Sequence, residues 1–197
     1  MTAFLAGLGI SALAVFIAEM GDKTQLVAMS LATRYRALTV ILGITAATAV
    51  VHIVSVFIAE VLGASLPTDW ITLVAGIAFL VFGAWTLRGD EMSAKDEERA
   101  ASRRIKSAFI TVFTVFFIAE LGDKTMLTTI AVGTQHDWLP VWIGSTAGMV
   151  AADAIAIALG AVLGKKLPEK AIKIGAASLF FVAGAVMVGQ GVLMLLG

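Results

Sequence analysis

The chain has 197 residues, of which 59% are hydrophobic and only 14% charged, with a mean hydropathy of +0.97. Soluble domains carry about 45–50% apolar and about 25% charged residues, so composition excludes an ordinary soluble fold in favour of a lipid-embedded helical bundle. Lys+Arg and Asp+Glu balance at 14 each and cysteine is absent; this leaves no basic footprint for nucleic acid and no disulfide, thiolate metal site or cysteine nucleophile.

The N-terminal stretch Met1-Thr-Ala-Phe4 has no Lys or Arg, so it reads as the start of a spanning helix rather than a secretory signal. It also lacks the Arg- and Ser-rich pattern of a transit peptide, which favours a bacterial chain. A span needs about 20 mainly apolar residues, and six segments qualify: roughly 3–32, 38–63, 70–87, 107–133, 138–163 and 171–196. Between them lie Arg34-Tyr-Arg36, Leu66-Pro-Thr-Asp69, the charged stretch 88–106, Thr134-Gln-His-Asp137 and Lys165-Lys-Leu-Pro-Glu-Lys170. The 88–106 stretch reads as a solvated linker, in which Ser93-Ala-Lys-Asp96 resembles a capping box and allows a short helix.

Threading six spans sends every loop cation to one side: Arg34, Arg36, Arg88, Lys95, Arg99, Arg103, Arg104, Lys106, Lys165, Lys166, Lys170 and Lys173. The positive-inside rule makes that side cytoplasmic, with both termini outside the bacterial inner membrane. Lys23 and Lys124 alone fall within spans.

The segment Phe16-Ile-Ala-Glu19-Met-Gly21-Asp22-Lys23-Thr24-Gln25-Leu26 returns as Phe117-Ile-Ala-Glu120-Leu-Gly122-Asp123-Lys124-Thr125-Met126-Leu127. The offset of 101 continues without a gap, giving roughly 26 identities over 72 aligned pairs, too many in one register for apolar composition alone. Each half, 1–87 and 107–197, holds three spans, and an odd number forces the second half to run the opposite way. The expected fold is an all-α integral membrane protein with six transmembrane helices as two inverted three-helix repeats, a transporter architecture with substrate at the interface and one half rocking against the other.

Glu19 and Glu120 fall near the bilayer midplane, where an ionised side chain costs at least about 2.5–3.5 kcal/mol on insertion scales. Read as continuous helices, the motifs place Glu19 and Asp22, and Glu120 and Asp123, on one helix face at i, i+3. Four carboxylates against two lysines leave a deficit that one divalent cation neutralises, and carboxylate oxygens suit Ca²⁺, Mg²⁺ or Mn²⁺. The hydroxyls of Thr24 and Thr125 and the side chain of Gln25 are further candidate ligands. Met126 is a softer donor that tilts the choice toward Mn²⁺. Gly21 and Gly122 are candidate hinges that free backbone carbonyls. When the cation leaves, crowded carboxylates away from water favour taking up protons, the physical requirement for metal-for-proton exchange. The bland alternative is an internal ion-pair cluster, with Glu19 joined to Lys23 at i, i+4; two inverted copies with excess negative charge count against it. His52 and Asp153 occupy equivalent places in the two halves and are candidates for a proton path.

At Glu19-Met-Gly-Asp-Lys-Thr24 and Glu120-Leu-Gly-Asp-Lys-Thr125 the chain closely resembles the GDT-type family of small cation exchangers, which includes Golgi and chloroplast manganese transporters and bacterial manganese exporters. The resemblance covers nearly the whole chain. It implies exchange of Mn²⁺ or Ca²⁺ for protons, with Glu19, Asp22, Glu120 and Asp123 as metal-binding carboxylates. The ion is cargo and no resident cofactor is expected; monomer and homodimer both stay open. An exporter of small organic solutes fits less well, because no Arg lies within a span to anchor a carboxylate. An intramembrane aspartyl protease needs a Gly where Glu19 and Glu120 stand, so no enzyme activity is expected. A channel with acidic rings is distinguished by its lack of proton coupling.

Overall fold

A computed structural model describes residues 1–65, 67–88, 107–163 and 169–196; the linker beyond Arg88, with the short helix expected near Ser93–Asp96, lies outside them. The described residues form eight helices and no strand: α1 (Thr2–Glu19), α2 (Lys23–Arg34), α3 (Ala37–Ser65), α4 (Thr68–Arg88), α5 (Ala108–Glu120), α6 (Lys124–Gly133), α7 (Trp138–Leu163) and α8 (Glu169–Leu196). Five of them, α1, α3, α4, α7 and α8, are long and apolar enough to cross a membrane, whereas α5 is apolar but only 13 residues long.

The segments 3–32 and 107–133, expected as continuous helices, are each two helices separated by a tight turn. Met20 (φ −61°, ψ 120°) is followed by Gly21 at φ 73°, and the Asp22 amide donates to the Glu19 carbonyl at 3.0 Å. Leu121 (φ −65°, ψ 113°) and Gly122 (φ 78°) repeat this, closed by the Asp123 amide on the Glu120 carbonyl at 3.2 Å. These are the dihedrals and the bond of a type II turn, whose third position requires the positive φ that glycine takes without a side-chain clash. The expectation that Glu and Asp share one helix face is therefore corrected: each Glu ends one helix and each Asp begins the next.

The halves interleave. The most extensive packing joins α4 to α8, α1 to α7 and α3 to α5, each pair taking one helix from either half. Close approach depends on small residues at repeat-related places. A side chain at Gly43 would collide with Val112 at 2.7 Å, and one at Gly144 with the Leu8 carbonyl and Ser11; the offset of 101 relates Gly43 to Gly144 and Ser11 to Val112. At the α3–α7 crossing the Thr48 hydroxyl donates to Met149 Sδ at 3.2 Å, again an equivalent pair. A rigid rocking of one half against the other would have to part all three helix pairs.

Two apolar clusters fill the interior. One gathers Val15, Leu31, Val40, Ile44, Phe116 and Met149; the other gathers Ala18, Val56, Phe79, Phe82, Val141 and Phe180. On α3, between Ala47 of the first and Val56 of the second, lie three buried polar side chains, Thr48, His52 and Ser55, at helical spacing. The outward faces carry exposed Leu, Val, Ile and Phe, Phe57, Val182 and Leu193 among them. That is the surface expected of a helix bundle facing lipid.

Candidate functional site

The two turns deliver the motif side chains into the interior. Glu19 and Glu120 are completely buried, and Asp22 and Asp123 nearly so. Asp22 and Asp123 are also the N-terminal caps of α2 and α6, so the positive ends of two short helices lie beside the carboxylates and offset part of the cost of burying them.

Each glutamate is held by the threonine five residues on. The Thr24 hydroxyl donates to Glu19 Oε1 and also lies 3.2 Å from Asp22 Oδ2; the Thr125 hydroxyl donates to Glu120 Oε2. The second oxygen of each glutamate, Glu19 Oε2 and Glu120 Oε1, has no hydrogen-bond partner among the described residues. Glu19 interacts electrostatically with Glu120 and Asp22, and Glu120 with Asp22 and Asp123, so the acids of both motifs share one field.

An ion pair between described residues within this field joins the halves. Lys124 Nζ lies 3.0 Å from Asp22 Oδ1, with both side chains almost wholly buried. The Lys23 side chain, which the bland reading pairs with Glu19, lies outside the described groups. Among the described residues, no three Asp, Glu or His side chains converge closely enough to enclose a metal ion. The acids are gathered but spaced.

Asp153 on α7 joins them. It is fully buried, neither of its oxygens has a hydrogen-bond partner among the described residues, and its charge interacts with Glu19, Glu120 and Asp22. Its repeat mate His52 is equally buried, with both ring nitrogens unpartnered among the described residues. The site thus takes a fifth carboxylate from one half where the other half offers an imidazole.

Gln25 and Met126 serve the turns. Gln25 Oε1 accepts from the Gly21 amide at 2.9 Å while its Nε2 donates to the Ala152 carbonyl at 3.1 Å, and Met126 Sδ accepts from the Gly122 amide at 3.3 Å. The sixth residue after each Glu therefore satisfies the hinge amide, a role that motif reading misses. Its sequence signal is an acceptor side chain four residues after each motif glycine.

The hinge geometry makes a prediction. A Cβ at Gly122 would meet nothing within 4 Å, so crowding is not at issue, but its φ of 78° is disfavoured for other residues. Gly122→Ala is expected to cost about 1–2 kcal/mol, read as a lowered melting temperature in detergent. Gly122→Asn, which tolerates that region better, should recover part of the loss. Equal melting of wild type and the Ala variant would mean the turn is not held in this conformation.

Two segments of the chain, residues 7–94 and 108–195, each match the protein family described as divalent cation/proton antiporter GDT1. A protein of Vibrio cholerae serotype O1 named as a manganese exporter is 35% identical over 176 residues, covering 88% of this chain and 86% of its own. The chloroplast protein PAM71 of Arabidopsis thaliana is 34% identical over 93% of this chain, which spans 57% of the length of that relative. The divalent cation/proton antiporter GDT1 of Saccharomyces cerevisiae is 25% identical over 88% of this chain and 80% of its own. No solved structure matches the chain.

Proposed function

The chain belongs to the divalent cation/proton antiporter GDT1 family, and from that premise we propose that it exports Mn²⁺ across a bacterial cytoplasmic membrane in exchange for protons. On this reading α1–α2 and α5–α6 are each one broken span, which with α3, α4, α7 and α8 makes six. The halves 1–87 and 107–197 are inverted repeats, both termini face out, and linker 88–106 is cytoplasmic. The repeat-related contacts at Gly43 and Gly144 and at Thr48 and Met149 support this arrangement.

The observation that carries the proposal is a pair of completely buried glutamates, one from each half, each with an oxygen that has no hydrogen-bond partner among the described residues. Such an atom in a low-dielectric interior is costly, and a cation or a proton relieves it. Glu19, Asp22, Glu120 and Asp123 bind the ion, with the hydroxyls of Thr24 and Thr125 adjoining. Gln25 and Met126 hold the turns. Protons occupy the carboxylates when the ion has left, with Asp153, and His52 across the repeat, on the proton path. Mn²⁺ is preferred because the Vibrio relative is named as a manganese exporter; Ca²⁺ carried by the same mechanism is the alternative that the carboxylate set also suits.

Everted vesicles loaded with a pH dye test the proposal. Adding Mn²⁺ should release protons from the vesicles at lower concentration than Ca²⁺ or Mg²⁺. Equal responses to the three ions would remove the manganese preference, and no response to any would remove the exchange.

A further inference from the structure

Lys124 is a motif residue whose charge falls on the other motif. Its ammonium lies 3.0 Å from Asp22 Oδ1, across the junction of the two halves, and its side chain retains almost no exposure. Glu19 and Asp123 contribute to the same field. Asp22 is held by Lys124 at one oxygen and lies 3.2 Å from the Thr24 hydroxyl at the other, while Glu19 and Glu120 each keep one oxygen unpartnered among the described residues. A divalent cation seeking the oxygens of both halves therefore finds Asp22 already held by an ammonium.

We propose that Lys124 is a specificity-determining counter-cation, tethered to the protein, which competes with the transported ion for Asp22 and thereby excludes monovalent cations. This rests on the metal-exchange reading above. An ammonium is a compact point charge on a flexible four-carbon stem, so it changes partners by rotating the stem while keeping its proton. A monovalent ion that displaces it exchanges one positive charge for another and gains nothing electrostatically. A divalent ion gains a full charge against the same acids. The competition also limits how tightly the divalent ion is held, which aids its release on the far side. The motif acids alone cannot do this, since they attract every cation.

The test is Mn²⁺ binding to purified protein in detergent, with and without 100 mM Na⁺, beside Mn²⁺ transport in proteoliposomes. Lys124→Met is expected to bind Mn²⁺ at least tenfold more tightly than wild type, to turn over at least tenfold more slowly, and to lose Mn²⁺ to Na⁺ where wild type keeps it. Lys124→Arg keeps the charge and should keep Na⁺ excluded. Unchanged or weaker Mn²⁺ binding by folded Lys124→Met would overturn the proposal and leave Lys124 a structural partner of Asp22. Should Lys124→Met fail to fold, admission of Na⁺ by Lys124→Arg overturns it and continued exclusion supports it. Wild-type protein that binds no divalent ion would instead overturn the exchange reading itself, so the two failures are distinct.

Discussion

Glu120→Gln is expected to abolish Mn²⁺-driven proton movement while leaving the fold intact. Gln matches Glu in shape, and its amide oxygen can accept the Thr125 hydroxyl that Glu120 Oε2 accepts. An uncharged amide is also cheaper to bury than a carboxylate at a position with no exposure. The melting temperature should therefore hold or rise. What is lost is the charge and an oxygen able to take either a proton or a metal ion. Since removing even outer-shell partners of a metal commonly costs 10–100-fold in affinity or activity, losing a proposed direct ligand should lower transport by at least about 100-fold. Glu19→Gln should behave alike, because Thr24 holds Glu19 as Thr125 holds Glu120. The check is vesicle proton release together with thermal melting of each variant. Retained transport in both would place the ion path elsewhere in the bundle.

Asp22→Asn should instead damage stability, because it strands Lys124. Removing one member of a buried ion pair typically costs about 3–5 kcal/mol, whereas replacing both members by neutral residues is often close to neutral. Glu19 and Asp123 share the field of Lys124 and absorb part of the loss, so a cost near 3 kcal/mol is expected. The double variant Asp22→Asn/Lys124→Met should recover most of that stability and none of the transport. Melting the three proteins side by side in detergent decides the matter. A single Asn variant as stable as wild type would mean that the pair does not hold the halves together.

The parts of this molecule that could be read from the sequence are those dictated by lipid. The long apolar runs of α3, α4, α7 and α8 emerge within a few residues of their expected limits, because a bilayer demands length and apolarity together. The breaks at Gly21 and Gly122 escape hydropathy, since a three-residue turn barely alters the average of a long window. The glycine beside each Asp was the available sign, and a positive φ is what it meant. The Lys124–Asp22 pair was not legible at all. Local rules connect residues three or four apart on one helix, and this pair depends on how two distant turns face each other. The 101-residue offset matched Asp153 with His52, yet it fixes only position along the chain. Which of the two shares the field of the glutamates is set by the packing of α7 against α1 and α2.

The interleaving of the halves also bears on how the chain is made. Every principal helix pairing joins a segment from the first half to one from the second. During synthesis α1, α3 and α4 therefore enter the membrane well before α5, α7 and α8 exist to cover them. Until then the groove at Gly43 lacks Val112, and Asp22 lacks Lys124. The nascent first half therefore carries Asp22 before its partner Lys124 has been made.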